Sequence, residues 1–123
     1  MPDNDLERLR HHLAPLSPPE EARRLFHGRG QTVPGLEDIV LDAYPPFLWI
    51  VLYAPRPADW VQQLAEELRL KFPSFSALSV QHRYLSGTPL EQIYGKLPSP
   101  ATVREGGLSY LLRPGQGQNI GVF

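Results

Sequence analysis

Cysteine is absent from this 123-residue chain. Disulfides, zinc–thiolate centres and thiol nucleophiles are therefore excluded within it. Charge of one sign is also lacking: 12 Lys and Arg stand against 13 Asp and Glu, for a net −1. That balance excludes a globally basic nucleic-acid binder but leaves room for a local basic patch. No long apolar run occurs. The longest, residues 47–54, falls far short of the roughly 18 residues expected of a spanning helix. The first residues are acidic and polar rather than signal-like, so the cytoplasm is the expected location. Metal-ligand spacing is missing too: His11 and His12 are adjacent, and neither His27 nor His82 has a helical partner four residues on. No serine sits in a nucleophile-elbow pattern. Gly28-x-Gly30 and Gly115-x-Gly117 lack the third glycine of a dinucleotide fingerprint. Spacing alone yields no catalytic group and no metal site.

What is present points to one small domain. Hydrophobic residues make up 41% of the chain, enough for a core. The 14 prolines fall mostly between periodic segments, which implies short elements with firm stops. Leu6, Leu9 and Leu13 form a helical stripe, Asn4 and Glu7 fit a capping box, and Pro15 ends it. Ser17-Pro18-Pro19-Glu20 reads as a second helix start. Ala22, Leu25 and Phe26 supply its apolar stripe, with Gly28 as a left-handed stop. The opposite face carries Arg23, Arg24 and His27, with Arg29 just beyond. Two readings fit this cluster: contacts to RNA phosphates, or a solvated face whose cations favour a helix C-terminus.

After a turn at Val33-Pro34-Gly35, residues 39–44 read as a strand. Asp42 shares one face with Val40 and Tyr44, and a strand-end carboxylate near a turn is more often structural than an acid–base group. Tyr44-Pro45-Pro46 turns the chain into residues 47–53, an unbroken apolar run expected at the centre of the sheet. Asp59 with Gln62 fits a capping box, and Trp60, Val61, Leu64, Leu68 and Phe72 repeat at helical spacing up to Pro73. This helix should lie across the central strand, with Trp60 as a core or edge anchor. Residues 77–84 alternate as a strand. Arg83 on its polar face is a candidate for contact with RNA or a neighbouring domain, and His82 on the apolar face reads as a satisfied core or edge histidine. Residues 90–100 carry little pattern, and residues 94–98 read as a loop or single turn crossing to the final hairpin. Gly106-Gly107 supplies the positive φ angles of a tight hairpin turn, with Val103 and Glu105 leading in and residues 108–113 leading out. Another turn follows at residues 114–117, and a last extended run ends on Phe123. A chain stopping on Val122-Phe123 within a strand pattern implies a C-terminal continuation.

Val103-Arg104-Glu105, then Gly107-Leu108-Ser109-Tyr110, then Asn119-Ile120-Gly121-Val122-Phe123 resembles the entry segment of class I S-adenosylmethionine-dependent RNA methyltransferases. These include the large-subunit ribosomal-RNA enzymes that modify cytosine-5 or guanine-7. Gln81-His82-Arg83-Tyr84 and Tyr94-Gly95-Lys96-Leu97 are similar to that family's middle segment. Residues 33–37 and 40–44 resemble its first hairpin. The resemblance spans residues 25–123 and implies an N-terminal accessory domain that positions RNA, with Arg23, Arg24, Arg29 and Arg83 as the candidate contacts. The catalytic Rossmann-like domain would follow Phe123. S-adenosylmethionine would be bound by the longer protein, with Asn119 and Gly121 near the cofactor edge, and not by this chain alone. The expected fold is α+β: N-terminal helices, a β-hairpin, a helix, then three strands, with the helices on one face of a mixed sheet. The rival reading is a freestanding nucleic-acid-binding or protein-interaction module with no enzymatic role.

Overall fold

A computed structural model describes residues 5–28 and 33–95, together with the backbone of residues 101–105 and 108–112. The chain runs α1 (Asp5–Leu13), β1 (Arg23–His27), β2 (Ile39–Tyr44), β3 (Phe47–Leu52), α2 (Ala58–Lys71), β4 (Ala77–His82), β5 (Leu90–Tyr94), β6 (Ala101–Glu105) and β7 (Leu108–Leu112). The first five strands form one sheet in the order β1-β2-β3-β4-β5. β3 runs parallel to β4 and the other pairs are antiparallel, so the sheet is mixed and the fold is α+β. β6 and β7 pair separately, with Glu105 opposite Leu108, the register that a two-residue connection requires.

β3 takes the centre because it has no polar face. Every residue of Phe47–Leu52 is buried, which an apolar run achieves only with strands on both sides and layers above and below. The parallel step from β3 to β4 needs a crossover, and α2 supplies it. Trp60, Val61, Leu64, Ala65 and Leu68 are its buried stripe. Leu64 and Trp49 are 1% and 2% exposed, and such burial stabilises by about 1.5–3 kcal/mol for each side chain. The expected Asp59–Gln62 capping box does not form. Pro57 occupies the cap position without a side-chain hydrogen bond, and Asp59 Oδ1 accepts from the adjacent Trp60 N–H at 3.0 Å.

Both helices lie on the same face of the sheet. Leu6, Leu9 and Leu13 of α1 join the α2 stripe over Ile39, Leu41, Ala43, Leu48, Ile50, Leu52, Leu78 and Val80. Arg56 fastens the ends of these layers. Its guanidinium donates to both carboxylate oxygens of Asp38, at 2.9 and 2.6 Å, to Asp5 Oδ2 at 3.1 Å, and to the Gly35 carbonyl. It also stacks over the Trp60 ring at 4.2 Å.

Two segments differ from the sequence reading. The expected second helix is absent: Arg23–His27 is a strand, paired antiparallel with β2. A bulge between Arg24 and Phe26 explains the misleading spacing. It inserts one residue, so that Leu25 and Phe26 both enter the helix-side core while Ala22 joins the cluster on the other face. Gly28 does not end a helix; a Cβ there would fall 1.9 Å from the Leu36 carbonyl oxygen. The second difference is β5, a strand where the sequence carries only a weak pattern. It is an edge strand, half-covered, and this weakens its alternation.

Candidate functional site

The face of the sheet turned away from the helices holds the polar chemistry. Val40 and Tyr44 of β2, Phe47, Trp49 and Val51 of β3, and Ala77 of β4 form an apolar field there, with Tyr53 and Leu90 at its margins. The strand register sets one polar row across it: Arg24, Asp42, Trp49, Ser79 and Gln92. Asp42, Ser79 and Gln81 are buried. The Trp49 indole N–H is buried without a hydrogen-bond partner, and its ring meets Tyr44 edge-on at 6.1 Å.

A carboxylate on a buried face requires a cation, and β1 delivers one. Arg24 Nε donates to Asp42 Oδ1 at 2.8 Å and Nη2 donates to Oδ2 at 3.2 Å. The Asp42 side chain is 4% exposed and that of Arg24 37%. Burial raises the Asp42 carboxyl above its ordinary range, opposed by the hydrogen bond and charge of Arg24. The same hydrogen bond raises Arg24. The two shifts point opposite ways for the ion pair, one favouring the charged form and one the neutral form. The asymmetry of burial accounts for this: the cost of leaving water falls on the enclosed carboxylate, while the guanidinium keeps solvent on one side.

The bulge also turns His27 back toward Arg24. Arg24 Nη1 lies 3.1 Å from His27 Nδ1. Across the outer edge of β1, His12 from the last turn of α1 meets Phe26 edge-on, with ring centroids 5.3 Å apart. An open groove of about 240 Å3 runs here, lined by His12, Arg24, Leu25, Phe26 and His27. A second cleft of about 450 Å3 lies between α1 and α2, where Arg10 and Glu67 pair beside Leu13, Leu68 and Leu70.

The four arginines singled out from the sequence do not form one patch. Arg23 is exposed and stands opposite Ala43, on the other side of β1 from Arg24. Arg83 follows β4, three strands from β1; its N–H donates to the Leu52 carbonyl at 2.8 Å and its guanidinium lies 5.6 Å from the centre of the Tyr53 ring. Arg29, Asn119 and Gly121 lie outside the described residues. The structure instead gathers Arg24, Asp42, His27 and His12, of which Asp42 and His12 carried no functional expectation. One sequence signal pointed that way: an aspartate inside an apolar strand needs a cationic neighbour. His82 is satisfied, with Nε2 at 2.8 Å from Glu91 Oε1 and Nδ1 at 3.1 Å from the Tyr84 hydroxyl. Among the described residues no cluster of three metal-ligating side chains occurs, and no helix is long and apolar enough to cross a membrane.

No protein-family model matches the chain, and no curated protein is similar to it. Solved structures share its fold. A proposed S-adenosylmethionine-dependent methyltransferase from Streptococcus mutans superposes with a TM-score of 0.67 at 22% identity, over 96% of this chain. SMU.776, a proposed methyltransferase complexed with S-adenosylhomocysteine, superposes with a TM-score of 0.61 at 20% identity, over 88% of this chain. The chain spans only 30% and 27% of those two proteins.

Proposed function

We propose that this chain is the non-catalytic part of a cytoplasmic S-adenosylmethionine-dependent methyltransferase acting on RNA, ribosomal RNA by preference. In this reading it places RNA against a C-terminal catalytic domain. The observation that carries the reading is the shared fold: nearly the whole chain superposes on less than a third of a proposed methyltransferase. One of the two similar proteins is described with S-adenosylhomocysteine, the product left when S-adenosylmethionine gives up its methyl group. Orientation of the base against the sulfonium is where such an enzyme gains much of its rate. Asn119 and Gly121 would then sit at the junction with the cofactor-binding domain, and Arg23, Arg24, Arg29 and Arg83 would meet RNA, Arg24 through its neighbours as much as directly.

Two measurements test this. Methyl transfer from labelled S-adenosylmethionine to ribosomal RNA should occur with the protein extended beyond Phe123 and not with residues 1–123. Calorimetric titration of residues 1–123 with the cofactor should show no micromolar binding; a clear micromolar isotherm, or a gene that stops at Phe123, would favour the freestanding module instead.

A further inference from the structure

We infer that the groove along the outer edge of β1 is a phosphate subsite, in which His27 and His12 hold an anionic oxygen of an RNA backbone and Arg24 acts as a positioning residue. The inference rests on the RNA reading above and adds the atoms that would make contact. It begins with donor counting. A guanidinium has five N–H donors and no acceptor. The 3.1 Å approach of Arg24 Nη1 to His27 Nδ1 is therefore a hydrogen bond donated by Arg24. Nδ1 must supply the lone pair, so the neutral imidazole carries its proton on Nε2. Asp42 fixes the other end of the relay. By gripping Nε and Nη2 with both carboxylate oxygens, it sets the plane of the guanidinium and so the direction of Nη1. The chain of contacts Asp42–Arg24–His27 thus imposes one tautomer on an imidazole that lines an open groove.

Three further features suit an anion. His12 lines the same groove from α1, its ring braced edge-on by buried Phe26. Among the described residues no carboxylate lines the groove, and Asp42 is enclosed behind Arg24 at 3% exposure. Among the described strands β1 stands at the edge of its sheet, and an edge strand can receive an extended partner such as a nucleic-acid backbone. The contacts inferred are imidazole N–H groups rather than a surplus of positive charge, which agrees with a chain whose total charge is −1. Such a subsite contacts the backbone and leaves the bases unread, which is positioning without sequence choice.

The experiment uses long-range proton–nitrogen spectra of the imidazoles, read during titration with single-stranded oligouridylate, with its neutral methylphosphonate analogue, and with inorganic phosphate. His27 should start as the Nε2–H tautomer. Oligouridylate should move the His27 and His12 signals saturably, and the methylphosphonate analogue should not. His27→Leu should weaken oligouridylate binding about tenfold, the scale of one hydrogen bond to a charged group. His27→Gln, which keeps an N–H donor, should recover most of that loss. In Arg24→Ala the single Nε2–H form should give way to a mixture of both tautomers, and where that variant does not fold, Asp42→Asn reads the same relay through a loosened Arg24. A starting Nδ1–H tautomer overturns the inference. So does oligouridylate binding, followed by fluorescence anisotropy, that leaves both imidazoles unmoved; in that case the RNA reading survives and only the subsite falls. If inorganic phosphate shifts both rings and oligouridylate does not bind, the anion site stands and the RNA reading fails. If none of the three probes binds, both fail.

Discussion

Replacing Arg56 should be among the most damaging single changes outside the apolar core. The side chain is 11% exposed and holds two carboxylates, Asp38 and Asp5, which are 20% and 24% exposed. It also binds the Gly35 carbonyl and covers Trp60. Its own ionisation is pushed up, first by the hydrogen bond to Asp38 and then by the nearby charges, against the opposing effect of burial. Arg56→Ala takes this cation away from Asp38 and from Asp5, which keeps its contact with Arg8. Removing one partner of a buried pair costs about 3–5 kcal/mol, and because these carboxylates can recover some water, about 2–3 kcal/mol is the expected loss. Arg56→Lys keeps the charge but loses the two-pronged grip on Asp38 and the flat stack on the indole, so about 1–2 kcal/mol should go. Arg56→Met combined with Asp38→Asn should be milder than the sum of its parts, since neither charge is then left unmatched. Urea unfolding followed by tryptophan fluorescence gives each value from the shift in midpoint at constant slope, with Trp60 directly beneath the guanidinium as reporter. A loss below about 0.5 kcal/mol for Arg56→Ala, the range of ordinary surface changes, would refute the argument that this cluster ties α1 and the 33–38 loop to the start of α2.

Four further outcomes follow from the same coordinates. Burial holds the Asp42 carboxyl above its usual value of 3.8, so the folded chain binds that proton more tightly than the unfolded chain. Its contribution to stability is fully favourable below the unfolded value and is lost as pH climbs through the folded one; urea midpoints over the acidic range should show wild type losing ground to Asp42→Asn as pH rises. Gly95 has φ +72°, and a Cβ there would lie 1.9 Å from the Ser76 carbonyl oxygen, so Gly95→Ala should cost at least about 1–3 kcal/mol by thermal denaturation. The Tyr94 hydroxyl is buried without a partner and burial pushes its ionisation up; Tyr94→Phe should therefore leave stability equal or raise it by up to about 1 kcal/mol in the same assay. For RNA, the Arg23, Arg29 double alanine variant, which leaves the Arg24–Asp42 pair intact, should weaken binding about equally across sequences, with the salt slope reduced by roughly 0.7–0.9 per lost phosphate contact; an unchanged slope would leave these two side chains as a solvated face.

The elements that sequence resolves well are those in which local and tertiary demands agree. Residues 47–53 have no polar face, and they became the central strand because no other place satisfies them. The α2 stripe, from Trp60 to Leu68, needed only one partner surface and found it. α1 docks through the same three leucines that mark its period. β1 misled because its bulge sets Leu25 and Phe26 side by side on the core face, and a pair of neighbouring apolar residues after Ala22 also satisfies a helix. Its pairing with β2 supplies backbone hydrogen bonds that no local pattern announces. β5 was invisible for the opposite reason: an edge strand with exposed Glu91 and Gln92 has little apolar signal to read. The site was harder still. Arg23, Arg24 and His27 read as one helical face, but a strand sends Arg23 and Arg24 to opposite sides, and only the bulge returns His27 to Arg24.

That bulge connects fold to chemistry through register. Antiparallel pairing repeats every two residues, so a one-residue slip of β1 would move each of its side chains to the other face. Arg24 would then face the helices and enter an apolar core, and in the slip that sets Leu25 opposite Asp42 the buried carboxylate would lose its arginine, whereas the reverse slip would offer it Arg23 in exchange. Leu25 and Phe26 would surrender their places beneath α1. Each loss is of the kind that costs several kcal/mol, since an uncompensated buried charge is harder to accommodate than a missing methylene. The correct register satisfies all three demands at once: two apolar residues inward, one arginine on its carboxylate, and an imidazole placed beside that arginine. The ion pair of Arg24 and Asp42 therefore need not add net stability to be retained. It distinguishes the observed pairing of β1 from its nearest alternatives, and by the same contact it aims the imidazole of His27.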